Sequence, residues 1–258
     1  MIKFFRKIRQ KMLTENKFSK YLLYAIGEIV LVVIGILIAL YLNNQQETYT
    51  FQKQQENYLK LVKKEMASNL KSLFVENNQL SEKMENAYKV LNIMNNDSLL
   101  NNLTEPDLSQ LLNQFFLSDI VINYENGALN QIIYSGGINK IKNDSISGLI
   151  ASWEGKINRV RLQENQVAQA TESLKNYLYE NGDFRRLSED LGYSKILGID
   201  ISVNSKGNKN LLRSKEFENY IFQFIGFGYA LQRSEYPYFE KEMQTIMTLI
   251  DKELNSDV

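Results

Sequence analysis

The chain has no cysteine and no histidine, and only two prolines, Pro106 and Pro237, in 258 residues. Without cysteine there is no disulfide framework and no thiolate chemistry, a composition compatible with an oxidising compartment such as a bacterial periplasm. Lack of histidine removes the commonest general base and metal ligand, which excludes Ser-His-Asp and Cys-His arrangements and the usual zinc sites. No cofactor, metal or catalytic residue is expected. Helix breakers are also scarce: neither glycine nor proline occurs between Gly35 and Pro106.

What is present is a long apolar run, Tyr21 to Leu42, YLLYAIGEIVLVVIGILIALYL. At a helical rise of about 1.5 Å per residue it reaches about 33 Å, enough to cross a hydrocarbon core of roughly 30 Å. Residues 1–20 carry Lys3, Arg6, Lys7, Arg9, Lys11, Lys17 and Lys20 against Glu15 alone, and no Lys or Arg follows the run before Lys53. The positive-inside rule then places a basic head, 1–20, in the cytoplasm. The span is 21–43, and residues 44–258 lie on the far side of a bacterial inner membrane, in the periplasm. The run is too long for a signal-peptide core, and Ala39-Leu40-Tyr41 is a poor cleavage site. Thirty basic and thirty acidic residues therefore conceal a head of net +6, one acid in the span and an exterior of net −5. That exterior argues against a nucleic-acid partner. The head, with Ile2, Phe5, Ile8 and Met12 near one stripe, also reads as an interfacial helix. Its Lys3, Arg6, Lys7, Arg9 and Lys11 are the candidate lipid-headgroup contacts.

Steps of four and three along the span align Ala25, Glu28, Val32, Gly35 and Ala39 on one stripe. Small side chains let helices approach closely, so this stripe is the candidate interface with a second copy or another membrane protein. Glu28 lies about 10 Å past Tyr21, where an ionised carboxylate is costly. It fits two roles: a neutral group bonded across a homo-oligomer, or a proton carrier in a channel-associated accessory subunit.

The stretch KFFRKIRQKMLTENKFSKYLLYAIGEIVLVVIGILIALYLNN resembles the opening of an uncharacterised membrane-protein family of Bacteroidota, a domain of unknown function. ENGALNQIIYSGGINKIKND and LLRSKEFENYIF resemble its inner and C-terminal blocks, although the family typically has TFEALKSSGNL-like text near the first. The resemblance implies inner-membrane placement and a helical exterior, and it carries no activity. Asp97-Ser98-Leu99 and Asp144-Ser145-Ile146 are similar to the short O-glycosylation signal of that group, and both serines also suit turns or caps.

In the exterior, Leu59, Val62, Met66, Leu70, Leu73, Leu80, Met84, Ala87, Leu91 and Met94 recur at helical spacing, which predicts a long helix continuous with the span. Asn69 and Asn77 fall near its apolar seam. Residues 95–104 read as a turn. Thr104 caps a short helix with core residues Leu108, Leu111, Leu112, Phe115 and Phe116, and a second short helix over 124–135 ends at Gly136-Gly137. A long helix is predicted from Asn143 to Asn181, stopped by Gly182, with Trp153 either in the core or as a ligand platform. Residues 183–212 form the least regular stretch, with an alternating piece, ILGIDISV. Long loops of this kind are often binding elements, and Arg185-Arg186 fit either an anionic group or a helix end. Ser214 caps a last helix that Pro237 kinks or divides, among aromatics suited to core packing or to a sugar, peptidoglycan or lipid site.

The expected fold is all-α: one N-terminal transmembrane helix continuing into an antiparallel bundle of three long helices with two short ones inserted. The expected role is a membrane-anchored scaffold, sensor or interaction module without catalysis. The alternatives are the Glu28-dependent accessory subunit and a carboxylate-dependent cell-wall hydrolase, which needs two acids about 5 to 9.5 Å apart.

Overall fold

The computed structural model describes residues 18–117 and 119–256. Among them all regular structure is helical, with no strand. The first helix, α1 (Phe18–Met94), runs 77 residues without a break, as the absence of Gly and Pro after Gly35 demands. The chain divides after Asn57 into two compact units.

In the first unit α1 carries one segment, near the N-terminus, long and apolar enough to cross a membrane. Its aliphatic side chains from Ile29 to Leu42 are all exposed, an arrangement consistent with membrane anchoring. The polar stretch that follows is laced along its own surface. Asn43 donates to Glu47 at 2.9 Å, Gln45 to the Tyr41 hydroxyl at 3.1 Å and Thr48 to the carbonyl of Asn44 at 2.8 Å.

The second unit, from Tyr58, is built on the apolar stripe of α1. Leu59, Val62, Met66, Leu73, Leu80, Met84, Ala87 and Val90 are buried, and each of the Leu, Val and Met side chains contributes roughly 1.5–3 kcal/mol by leaving water. The second long helix, α6 (Trp153–Asn181), buries Val160, Val167, Leu174 and Leu178. The last helices, α9 (Lys215–Ala230) and α10 (Tyr236–Ser256), run antiparallel to both. Against α6, Lys156 pairs with Glu242, Arg159 grips Glu235 at 2.6 and 3.1 Å, and the Tyr177 hydroxyl meets Ser214 Oγ at 2.6 Å. Against α1, Lys63 pairs with Asp251 at 2.5 Å and Gln232 donates to Ser81 at 2.6 Å. A Cβ on Gly228 would come within 2.9 Å of Met84 Sδ, so glycine there lets α9 approach α1 closely.

It follows that α1 and α6 are parallel, and that the chain between them must return along the bundle. It does so through α2 (Asp97–Asn102), α3 (Glu105–Asn113), an irregular stretch, α4 (Gly127–Tyr134), a 3-10 turn (Gly137–Lys140) and α5 (Asp144–Ala151). Polar side chains of α1 hold this return. Lys83 donates to the carbonyl of Gln114 at 2.9 Å, Asn69 exchanges two bonds with the backbone of Glu125, and the Glu65 carboxylate accepts from the amides of Ala128 and Leu129 at 3.1 and 3.0 Å. Glu65 is thereby the cap of α4, whose own N-cap residue Asn126 supplies none.

Several elements differ from the sequence reading, each for a local reason. Residues 97–102 are helical because Asn96 accepts from the amides of Ser98 and Leu99, at 3.0 and 3.1 Å. Asn143 does the same for Ser145 and Ile146, so both Asp-Ser pairs lie exposed in the first turns of asparagine-capped helices, while Ile146 of the second triplet is buried in the core. The helix begun at Asp144 ends at Ala151, where Ser152 turns its hydroxyl back to the carbonyl of Leu149 at 3.1 Å, and α6 begins anew. Gly136 has the left-handed conformation expected of a helix stop, φ 70°, whereas Gly182 is extended. Gly182 is small for another reason: a Cβ would lie 2.7 Å from Asn208 Oδ1.

Pro237 does divide the last helix. Five residues before α10, Leu231–Glu235, form a π turn in which the Tyr236 amide reaches the Leu231 carbonyl. A regular helix would press the proline ring against the carbonyl one turn back, and the wider turn relieves that. The surrounding aromatics resolve mainly as core: Phe217, Phe224, Tyr236 and Phe239 are buried, while Phe222 and Tyr229 face out. Trp153 is also core, stacked on Phe239 at 4.9 Å between ring centroids, with Tyr124 edge-on to Phe239 at 5.0 Å.

Candidate functional site

The stretch 183–212 is more regular than its glycines suggested, holding two short helices and the start of a 3-10 turn (Lys209–Arg213), with irregular backbone between 198 and 208 and a tightly pinned base. Asp183 caps α7 (Phe184–Asp190), accepting from the amides of Arg186 at 2.8 Å and Lys206 at 2.6 Å. Burial opposes the charge of Asp183, yet these amides and the Ser205 hydroxyl prevail and hold its carboxyl below the ordinary value. Asn208, fully buried, closes the base by accepting from the Asp183 amide at 2.6 Å and donating to its carbonyl at 3.0 Å. From α3, Glu105 accepts from the amides of Asn208 and Lys209, and Ser109 donates to Asp190 at 2.8 Å. A Cβ on Gly207 would fall on the Glu105 carboxylate, which is why a residue without one stands there.

Above this base lies an apolar cleft of about 530 Å³, lined by Phe116, Leu117, Phe184, Leu187, Tyr193, Leu197 and Ile199, with Asn113, Arg185, Ser188 and Ser194 as its polar lining. Its aromatic wall is pre-formed, since Phe116 packs on Phe184 at 5.3 Å and Tyr179 packs on Phe184 at 5.1 Å. A short helix, α8 (Tyr193–Leu197), and the segment after it carry aliphatic side chains into solvent. Leu197 is 67% exposed, Ile201 75% and Val203 97%. Chemically, a concave apolar surface of this volume suits an inserted apolar group. Arg185 and Arg186 are engaged within the fold. They pair along α7 with Glu189 at 3.1 Å and Asp190 at 2.9 Å, and Arg185 also donates to the carbonyl of Asp200.

Charged groups elsewhere hold the fold. Glu164, 1% exposed, accepts from the Ile122 amide at 3.2 Å, the Tyr236 hydroxyl at 3.3 Å and Arg161 at 3.0 Å. Burial outweighs these partners and pushes its carboxyl up. Burial, then the charge of Glu164, pushes the hydroxyls of Tyr124 and Tyr236 up as well. On α1, burial and then neighbouring Lys175 lower the Lys83 ammonium to about 8, and burial raises Glu76. Among the described residues no three acidic side chains are grouped to hold a metal ion, and no Asp or Glu lines the cleft.

Of the span residues singled out from sequence, Ala25 and Glu28 are half-buried and Val32, Gly35 and Ala39 are exposed, all on continuous helix. A Cβ on Gly35 would meet nothing within 4 Å. Lys3, Arg6, Lys7, Arg9 and Lys11 lie outside the described residues. Sequence reasoning missed the contribution of Phe116 and Leu117 to the cleft, assigning the first to the core. The alternation in ILGIDISV was the available signal for the other wall.

Compared with protein-family models, curated proteins and solved structures, the chain matches none.

Proposed function

We propose that the chain is a single-span protein of the bacterial inner membrane that holds a helical interaction module, a scaffold or sensor without catalysis, on the periplasmic side. The observation that carries this reading is the apolar cleft with its collar of exposed aliphatic side chains, a surface of the kind that partners cover. The basic head and acidic exterior support the orientation. The resemblance to the Bacteroidota membrane-protein family implies the same placement. In this reading Lys3, Arg6, Lys7, Arg9 and Lys11 rest on anionic lipid, and the stripe Ala25, Glu28, Val32, Gly35, Ala39 packs on another membrane helix.

The absence of native cysteine makes the test direct. Asn204→Cys sits on an exposed loop and reports orientation: a membrane-impermeant maleimide should label it in cells with a permeabilised outer membrane. Labelling only after lysis would reverse the orientation. Leu117→Cys, on the rim of the cleft, should be shielded in native membranes and reactive after purification. Equal reactivity in both would remove the interaction reading.

A further inference from the structure

We infer that the partner seated on this surface is a second copy of the chain, joined about a two-fold axis through the segment Ile196 to Val203. The inference rests on the reading of the cleft as an interaction site and names its occupant. Three observations converge on it.

The first is area. Ile196, Leu197, Ile199, Ile201 and Val203 are between 52% and 97% exposed. Together with the open rim of the cleft they form the apolar centre around which a standard interface of roughly 800 Å² per partner is built. The second is self-complementarity. One chain carries both an apolar cleft and, next to it, a projecting aliphatic segment, so a two-fold axis lets each copy fill the cleft of the other. Arg185 on the cleft lining is already paired with Glu189, and the other exposed charges on the patch, Lys195 and Asp200, are of opposite sign, so each can meet its complement across the same axis.

The third is the backbone. On one side the segment is held to α7, with the Asp200 carbonyl accepting from Arg185 and the Ser202 amide donating to Glu189 at 2.7 Å. Between them the amide and carbonyl of Ile201 make no hydrogen bond among the described residues, while its side chain stands in solvent. Aliphatic side chains at every second position, 199, 201 and 203, beside unpaired backbone form an edge that a second such segment can pair with.

The test uses the full chain carrying Ile201→Cys, in native membranes under mild oxidation. A disulfide forms only where two Cα atoms come within about 7 Å, as they do near a two-fold axis. Cross-linked dimer is expected, with Leu197→Glu in the same background lowering its yield about tenfold or more. Leu197 and Val203 are largely exposed, so Leu197→Glu and the parallel Val203→Glu should keep the parent's helical circular-dichroism spectrum, which separates loss of pairing from loss of fold. A cross-link that both substitutions leave unchanged would overturn the proposal as random collision. No cross-link, with the introduced thiol shielded from maleimide in membranes, would overturn it in favour of a different protein partner and leave the interaction reading intact. No cross-link with that thiol freely labelled would overturn both.

Discussion

Asn69 and Glu125 exchange two hydrogen bonds of 2.8 Å: the Asn69 amide donates to the Glu125 carbonyl, and its Oδ1 accepts from the Glu125 amide. A fully buried side chain on α1 thus substitutes for the neighbouring strand or helical turn that this stretch of backbone lacks. Asn69→Leu removes both bonds and leaves a backbone donor and acceptor unpaired, which should cost about 2–4 kcal/mol. Thermal unfolding of the reconstituted chain, followed by circular dichroism, reads the loss. An unchanged midpoint would mean that the return does not depend on this clasp.

Glu164 gives a pH dependence with a definite sign. Its carboxyl in the fold titrates above the ordinary 4.5, so its favourable contribution is complete below about 4.5 and is lost as pH rises through the raised value. Glu164→Gln keeps an acceptor for the Ile122 amide and carries no charge to bury. The variant should therefore gain on wild type as pH rises toward 7, and its profile of midpoint against pH should be flatter. Trp153 supplies an optical readout, because it stacks on Phe239, which meets Tyr124 edge-on.

Gly207→Ala tests the base of the cleft. The added methyl displaces the Glu105 carboxylate from the amides of Asn208 and Lys209, a predicted loss of about 1–3 kcal/mol. Hydrogen exchange should rise first in residues 183–212, before the rest of the unit loosens.

Ser214 serves two elements at once, accepting from the Phe217 amide at 3.3 Å as the cap of α9 and meeting the Tyr177 hydroxyl of α6. Ser214→Ala should lose about 1–2 kcal/mol, and Tyr177→Phe in the same background should recover part of it. Denaturant midpoints of the two single variants and the pair form the cycle that checks this.

The long elements were legible because their apolar positions keep one period and little interrupts them. What escaped was polar residues standing in core positions. On α6 the buried stripe runs Val160, Glu164, Val167, Thr171, Leu174, Leu178, and a reading that follows only apolar residues steps over Glu164 and Thr171. Asn69 was visible at the seam, but its partner, the backbone of Glu125, lies 56 residues away and carries no sequence signal. The break at Ser152 and the helix at 97–102 rest on single hydroxyl or amide caps, which periodicity does not report. The cleft drew on two segments of different kinds. Its loop wall showed as an alternating run in a poorly structured stretch, whereas Phe116 and Leu117 read as one more turn of a core helix that in fact ends at Asn113.

Because α1 and α6 are parallel, the stripe on α1 waits for the far end of the chain: Lys63 finds Asp251 188 residues later. During synthesis the first helix of the core emerges first and its antiparallel neighbour last, so loop closure over most of the sequence precedes the contacts that reward it. Folding of this unit should accordingly be slow for an all-helical protein. The nascent chain would hold an uncovered apolar face until the residues of α10 have been made, the interval in which chaperones and proteases compete for it.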